Sequence, residues 1–244
     1  MDLSLRLAAV AISPFFGSFV CCFIDRVPRG VAFAWSRSRC ESCDAVLGAR
    51  DLIPILSYLA LHGKCRKCKV EIPFRLIQAE IAIALLTAVA VCVSEPRQML
   101  GVLALAWLLF ALAQFDIVHG RLPDVLTAAL GCLGLGWSLL YRFPLPFIAS
   151  ITGAAIGILI PLAAAKSYRL ITQREGLGGG DIKLFGASGV WIGWDALPTL
   201  LLTASLSAIF FMLATGRQSR LEAISFGPFI AFATFAIWCW KLTH

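Results

Sequence analysis

The sequence predicts an all-α polytopic membrane protein, with about eight transmembrane helices and a small cytoplasmic four-cysteine insertion between the first two. Of its 244 residues, 59% are hydrophobic and only 14% are charged, whereas soluble domains have about 45–50% apolar and about 25% charged residues. Mean hydropathy is +0.85. Apolar stretches close to the 20 residues that cross about 30 Å of hydrocarbon recur along the chain. This composition excludes a soluble single-core enzyme, a disordered chain and a short disulfide scaffold.

Eight apolar stretches are candidate spans, and each predicts a helix. They cover residues 5–24, 77–94, 98–116, 122–141, 146–165, 183–195, 197–214 and 224–241. The sixth is short and contains Gly186, Gly189 and Gly193. It therefore predicts either a broken span or a span whose end extends into the neighbouring loops.

The distribution of Lys and Arg predicts the orientation, because positive residues are retained on the cytoplasmic side of the membrane. If the first span runs from outside to inside, 17 of the 21 basic residues lie on the cytoplasmic side. The remaining four are Arg6, Arg97, Arg142 and Lys241. Both termini then face outward. We expect a first transmembrane helix (1–24), a cytoplasmic zinc-binding domain (25–76) and a membrane protease domain (77–244).

The basic residues also bear on whether a signal peptide is cleaved from the N-terminus and on which partners the protein binds. A cleaved signal peptide is the alternative for the N-terminal stretch, because an apolar run follows Arg6, but no A-x-A-like site lies directly before Asp25. The net charge of +7 is explained by topology and by attraction to anionic lipid of the inner leaflet. Nucleic-acid binding would require a basic face with exposed aromatic residues. We see no such face, so membrane lipid and not nucleic acid is the expected partner.

Two CxxC pairs in the polar segment predict a structural zinc site. Cys40 and Cys43 form the first pair, and Cys65 and Cys68 form the second, with 21 residues between the pairs. Each pair can form a tight knuckle, and two knuckles supply a closed tetrahedron of thiolates. Disulfides are the alternative, but a cytoplasmic location keeps thiols reduced. Zinc would also support a segment of about 50 residues, which is marginal as an independent fold.

Asp116 and Asp181 differ from most of the 14 acidic residues because each adjoins an apolar stretch. On the predicted topology both lie at the cytoplasmic edge of the bilayer, where charged groups are costly and indicate function. Two carboxylates held together at low dielectric share one proton. One can then activate a water molecule while the other polarises a peptide carbonyl, which is the chemistry of an aspartic protease.

The residues before Asp181 are rich in glycine, and Gly178 and Gly180 would let an extended substrate backbone approach the carboxylate. Three alternatives remain open. The segment can be an ordinary helix N-terminus that Asp181 caps. It can cradle phosphate, although no Gly-Lys-Ser/Thr sequence follows. It can also belong to an ion-coupled transporter, which the position of both aspartates at one edge disfavours.

These residues resemble the bacterial type IV prepilin leader peptidases, which are membrane aspartic proteases with a Gly-x-Gly-Asp motif. The strongest similarity is the segment 175–184, Glu-Gly-Leu-Gly-Gly-Gly-Asp-Ile-Lys-Leu. Asp116, followed by Leu122-Pro123-Asp124, resembles the segment around the family's first catalytic aspartate, and Asp124 is expected to cap a helix or support the site. Further similarities, in the same order, are Gly17-Ser18-Phe19, Arg26-Val27-Pro28, the two CxxC pairs and Phe226-Gly227-Pro228.

The resemblance implies an enzyme of the bacterial inner membrane that cleaves the short basic leader from type IV prepilins or type II secretion pseudopilins. Cleavage in the family falls after a glycine at the cytoplasmic face. The resemblance implies that Asp116 and Asp181 are the catalytic pair and that Gly178, Gly180 and Lys183 contact substrate. Many family members with the four-cysteine domain also methylate the new N-terminal amine with S-adenosylmethionine.

Two departures concern the half of the chain that the family links to methylation. Cys21 stands where the family usually has Asn, and no Tyr-Pro accompanies Arg75 and Glu80. The sequence also contains no glycine-rich dinucleotide-type loop for S-adenosylmethionine. Two alternatives therefore stay open: a peptidase without methyltransferase activity, and a non-enzymatic metal-sensing or transport protein. The sequence predicts neither the particular pilin nor the oligomeric state.

Overall fold

The computed structural model describes residues 3–27, 38–141, 145–174, 176–216 and 225–243. Its α-helices are α1 (Leu3–Arg26), α2 (Leu56–Ala60), α3 (Phe74–Val93), α4 (Met99–His119), α5 (Asp124–Tyr141), α6 (Phe147–Thr172), α7 (Gly179–Ile192), α8 (Leu197–Thr215) and α9 (Gly227–Thr243). A 3₁₀-helix, Ala49–Leu52, precedes α2. In this part of the chain there are no β-strands, only isolated β-bridges. Pro28, Arg142 and Glu175 lie outside the described residues.

Helices lie at all eight predicted span positions, which confirms the all-α prediction. Six of them, α1, α3, α4, α5, α6 and α8, are long and apolar enough to cross a membrane. The other two are shorter, with 17 residues in α9 and 14 in α7. The described residues therefore contain six helices of membrane-spanning length, where the sequence predicted about eight.

Helix α7 is unbroken, and it starts four residues earlier and ends three residues earlier than the predicted sixth span. Gly193 ends the helix with a φ of +79°, which other residues rarely adopt. Gly186 and Gly189 have a packing role instead. A Cβ on Gly186 would meet the side chain of Ile158, and one on Gly189 would meet the backbone of Gly153. These glycines let α6 and α7 approach closely, as small residues do in membrane helices.

The chain divides into two compact units, Met1–Cys92 and Val93–His244. In the first unit α1 and α3 come close at Gly17, where a Cβ would lie 2.8 Å from Cγ2 of Ile83. The finer division of the chain into three domains stays a prediction.

Two polar contacts join the N-terminal half of α3 to the other parts of the first unit. Arg75 donates two hydrogen bonds to the carboxylate of Asp25 in α1, each 2.8 Å long. Glu80 is 7% exposed and accepts a 2.7 Å hydrogen bond from the backbone N–H of Ile55. A buried carboxylate needs such a donor, because burial without one is costly. Helix α3 therefore anchors both α1 and the cysteine segment.

In the second unit α7 packs against α5, α6 and α9. Trp191 of α7 donates a 2.9 Å hydrogen bond to the carbonyl oxygen of Leu130, and its ring meets that of Trp238 edge-on with centroids 5.1 Å apart. Thr234 of α9 and Ser188 of α7 share a 2.8 Å hydrogen bond. Since α9 also packs against α4, it contacts both helices that carry the predicted catalytic aspartates.

Candidate functional site

Asp116 lies in the last turn of α4 and is 5% exposed. Its Oδ2 accepts a 2.9 Å hydrogen bond from the backbone N–H of Gly227, the first residue of α9. Its backbone carbonyl accepts hydrogen bonds from the N–H of Gly120, at 2.8 Å, and from Oγ of Ser225, at 2.9 Å. The side chain and the backbone of Asp116 are therefore both held by the residues around the start of α9.

Asp181 is half-buried in the first turn of α7. The backbone before it is extended at Gly178, with φ −67° and ψ 141°. Among the described residues, none donates a hydrogen bond to the Asp181 carboxylate, so the contacts expected of a simple helix cap are not seen there. The carboxylates of Asp181 and Asp116 lie near enough to interact electrostatically. The fold thus brings together two residues that are 65 positions apart in the sequence.

The two glycines predicted to contact substrate have different surroundings. A Cβ on Gly178 would lie 3.2 Å from Oδ2 of Asp181, so the glycine leaves space beside the carboxylate. Gly178 is also exposed. A Cβ on Gly180 would lie 3.2 Å from Cβ of Leu122, so this glycine lets the start of α7 pack against the segment that precedes α5.

Lys183 and Asp124, which the sequence singled out separately, form an ion pair. Nζ of Lys183 donates a 2.6 Å hydrogen bond to Oδ1 of Asp124. Both side chains are exposed, 55% and 72% respectively, so the pair adds only about 0–1 kcal/mol to stability. The pair fixes geometry, because it joins the first residue of α5 to the fifth residue of α7, two residues after Asp181.

The structure assigns Gly227 and Ser225 to the site, and sequence reasoning gave neither of them a role. Phe226-Gly227-Pro228 was noted only as a similarity. A usable signal was the Gly-Pro sequence at the start of an apolar helix, since the first N–H groups of a helix lack intrahelical partners and attract carboxylates. A Cβ on Gly227 would lie 2.6 Å from Oδ2 of Asp116. Only glycine permits this approach without a shift of the carboxylate.

The four cysteines of the predicted zinc site come together. Their sulfur atoms all lie within 4.8 Å of one another, and Sγ of Cys40 is 3.7 Å from Sγ of Cys68. Four sulfurs about 2.3 Å from a tetrahedral zinc ion lie about 3.8 Å apart, so this donor set and spacing fit zinc. All nine cysteines lie in the described part of the chain and are free thiols, which disfavours the disulfide alternative.

Each CxxC pair lies in a backbone knuckle of the same form. In both, the N–H of the first cysteine bonds to the carbonyl five residues later, and the residue after the second cysteine has a positive φ, 53° at Asp44 and 61° at Lys69. The hydrogen-bonded pairs are Cys40 with Ala45 and Cys65 with Val70, and the bridges that close the knuckles are Arg39 with Val46 and Lys64 with Glu71. The metal cluster is thus formed by two equivalent knuckles.

In the second knuckle, Cys65 is the cysteine whose thiolate form is favoured. Backbone N–H groups of Cys68 and Lys67 point at the sulfur of Cys65 and lower the pKa of this thiol to about 6. Arg66 forms a 2.8 Å ion pair with Asp51, and its hydrogen bond lowers the pKa of that carboxyl. Cys65 is therefore ready to bind a metal ion at neutral pH, because thiolates are the ligands of zinc.

Comparison with known proteins finds leader peptidase family matches along most of the chain. The family model described as "Bacterial Peptidase A24 N-terminal domain" matches residues 11–94, and that of the "Type IV leader peptidase family" matches residues 103–213. No solved structure gives a significant match.

Three relatives carry the name prepilin leader peptidase/N-methyltransferase. The protein of Aeromonas salmonicida is 37% identical over 208 residues, which cover 84% of this chain and 71% of the relative. That of Burkholderia pseudomallei is 36% identical over 214 residues, covering 86% and 69%. That of Stutzerimonas stutzeri is 36% identical over 221 residues, covering 87% and 75%. This chain therefore belongs to the type IV leader peptidase family and is an enzyme of the prepilin peptidase class.

Proposed function

We propose that this enzyme cleaves the basic leader from type IV prepilins or type II secretion pseudopilins at the cytoplasmic face of the inner membrane. After cleavage it methylates the new N-terminal amine with S-adenosylmethionine. The observation that carries the peptidase proposal is that the carboxylates of Asp116, in the last turn of α4, and Asp181, in the first turn of α7, lie near enough to interact electrostatically. The relatives named for both activities support the combination.

The two aspartates divide the work of peptide hydrolysis. We assign Asp116 as the base, because the N–H of Gly227 stabilises a negative charge on its Oδ2. It takes a proton from water, and the water oxygen attacks the carbonyl carbon of the scissile peptide. Asp181, which carries the shared proton, donates a hydrogen bond to the carbonyl oxygen. The tetrahedral intermediate then collapses, the C–N bond breaks, and the leaving amine takes up the proton that Asp116 removed from water.

The sidedness of the reaction rests on the basic residues. Asp116 is near the C-terminal end of its helix, whereas Asp181 and Gly227 are near the N-terminal ends of theirs. The segments around these ends together hold seven basic residues, whereas those around the opposite ends of these helices hold only Arg97 and Lys241, which favours a cytoplasmic position. The seven are Arg121, Lys166, Arg169, Arg174, Lys183, Arg217 and Arg220. We expect inverted membrane vesicles to cleave added prepilin and sealed right-side-out vesicles to leave it intact. Cleavage confined to right-side-out vesicles would reverse the proposed orientation.

Two further groups take part in the proposed function, a structural zinc ion and S-adenosylmethionine. Cys40, Cys43, Cys65 and Cys68 would hold one zinc ion as a structural centre, since four thiolates leave no position open for substrate. When bound, S-adenosylmethionine supplies an electrophilic methyl group to the amine that cleavage has released.

One experiment tests the proposed function as a whole. Purified detergent-solubilised enzyme is incubated with a prepilin, with and without S-adenosylmethionine, and the product is measured by intact mass. We expect loss of the leader in both reactions and the addition of one methyl group only when the methyl donor is present. Cleavage without methylation would show that the enzyme is a peptidase without methyltransferase activity. No cleavage of several prepilins, or activity that requires an ion gradient, would overturn the proposal in favour of a transport protein.

Loss of the second cysteine pair is expected to remove the metal. In the double variant Cys65→Ser/Cys68→Ser we predict that zinc falls from about one ion per chain to near zero, because two of the four thiolate ligands are lost. Elemental analysis of the purified protein measures the ion. Methylation and the unfolding temperature should fall more than cleavage does. Cys92→Ser, which changes a lone exposed thiol of α3, is the control, and full zinc content in the double variant would contradict the assignment.

Lys183→Met tests whether this lysine contacts substrate. The change breaks an exposed ion pair, so the free energy of unfolding should fall by less than about 1 kcal/mol. We expect KM for prepilin to rise several-fold with kcat nearly unchanged, because Lys183 is next to the site without being part of the carboxyl pair. Steady-state cleavage measures both constants, with the exposed Lys166→Met as control. An unchanged KM would limit Lys183 to its contact with Asp124.

A further inference from the structure

A cleft of about 370 Å³ lies beside the second knuckle in the first unit, and the peptidase mechanism does not use it. Its volume falls within the range of small-molecule sites, about 300–1,000 Å³. Charged and aromatic side chains line it, among them Tyr58, Lys64, Glu71 and Phe74. Convergence of such groups in a cleft indicates a ligand that carries both charges and an aromatic or apolar part.

Lys64 and Glu71 provide a cation and an anion side by side. They form an antiparallel β-bridge, so their Cα atoms lie about 5 Å apart and their side chains leave the same face of the backbone. Within the described part of the chain, neither side chain has a hydrogen bond or an ion pair. The two are therefore available to a zwitterion, with the lysine ammonium facing a carboxylate and the glutamate facing an ammonium group.

Tyr58 gives the cleft a fixed aromatic wall. Its ring packs on Gly63, where a Cβ would lie 2.9 Å from Cζ of the ring, and the φ of +69° at Gly63 also requires glycine. The carbonyl of Gly63 accepts a 2.7 Å hydrogen bond from the N–H of Ile72, which closes the same turn. Phe74 adds a second ring that is 63% exposed. Aromatic faces stack on purines and attract cations such as a sulfonium group.

We propose that this cleft binds S-adenosylmethionine. Lys64 and Glu71 hold the carboxylate and the ammonium of the methionine end, and Tyr58 and Phe74 contact the adenine or the sulfonium group. The ligand is a zwitterion with an additional cation and a purine, and the cleft offers a partner for each of these parts. Binding by side chains also agrees with the lack of a glycine-rich dinucleotide-type loop in the sequence. The inference rests on the methyltransferase part of the proposed function.

Binding is measured directly, by calorimetry with the full-length purified enzyme and S-adenosylhomocysteine, which needs no turnover. We expect Lys64→Met and Glu71→Gln each to raise Kd roughly 10- to 100-fold, as expected for a lost charged hydrogen bond. Lys67→Met is the matched control, because this lysine belongs to the same knuckle but does not line the cleft. Zinc content shows whether the knuckle is intact, and prepilin cleavage should stay at the wild-type rate.

A second pair of variants, both at Tyr58, tests the inference even if Lys64→Met or Glu71→Gln loses its zinc ion. Tyr58→Phe keeps the ring and should bind the ligand almost as tightly as the wild type, whereas Tyr58→Ala should lose at least about 10-fold in affinity. Unchanged affinity in zinc-loaded Lys64→Met, Glu71→Gln and Tyr58→Ala would overturn the inference. If those variants bind normally and the wild type methylates, only the site is wrong. If the wild type neither binds nor methylates, the methyltransferase function itself fails.

Discussion

Asp181→Asn is expected to abolish leader cleavage, with kcat lower by roughly 10³-fold or more. Asparagine has nearly the same shape as aspartate, but it cannot carry the shared proton, and proton transfer of this kind contributes about 10²- to 10⁴-fold. Asp116→Asn should lose as much, because its amide cannot take a proton from water. Since the two carboxyls act as one unit, the double variant should be no slower than either single variant. Product masses over a time course measure the loss.

The control for these variants is Asp195→Asn. Asp195 also carries a carboxylate in the second unit, where its Oδ2 accepts a 2.7 Å hydrogen bond from Lys241, but it follows the end of α7 instead of preceding its start. Its replacement should leave cleavage within about twofold of the wild type, since surface changes of this kind have small effects. Unfolding temperatures show that all variants are folded. Cleavage by Asp181→Asn at a rate near that of the control would remove Asp181 from the catalytic pair.

Gly227→Ala is expected to lower kcat roughly 10- to 100-fold while KM changes little. A Cβ at this position would lie 2.6 Å from Oδ2 of Asp116, so either the carboxylate or the start of α9 must move. A shift of about 1 Å in a catalytic group costs roughly 10²-fold in rate. Gly227 is a positioning residue, because it acts through Asp116 and not on the substrate. Steady-state cleavage separates the two constants.

Gly136→Ala is the matched control for this substitution. Gly136 lies in α5 of the same unit, and a Cβ there would meet no atom within 4 Å. Helix propensity favours alanine by up to about 1 kcal/mol at such a position, so the control should be at least as stable as the wild type and fully active. Equal kcat for Gly227→Ala and Gly136→Ala would contradict the proposed positioning of Asp116. Binding of S-adenosylhomocysteine should be the same in both variants.

Hydropathy and spacing were sufficient to predict the parts of this protein that depend on local chemistry. Every predicted span became a helix, because a membrane-spanning segment must satisfy its own backbone hydrogen bonds and be apolar along its length. The cysteine cluster was also predictable, since CxxC spacing brings two sulfurs to one ion. Asp116 and Asp181 could be selected and paired as unusual acids at one edge of the predicted bilayer, and the family resemblance implied that they are the catalytic pair.

Tertiary structure decided the features that depend on contacts between distant segments. The hydrogen-bond donor to the Asp116 side chain is a backbone N–H 111 residues away. Neither the periodicity nor the composition of the sequence predicts such a pairing. In the same way Lys183 meets Asp124 only after α5 and α7 have packed. The course of α7 depended on Gly186 and Gly189, which suggest a break in sequence but permit close packing in the fold. Local pattern determines which helices form, whereas side-chain packing determines which polar groups they bring together.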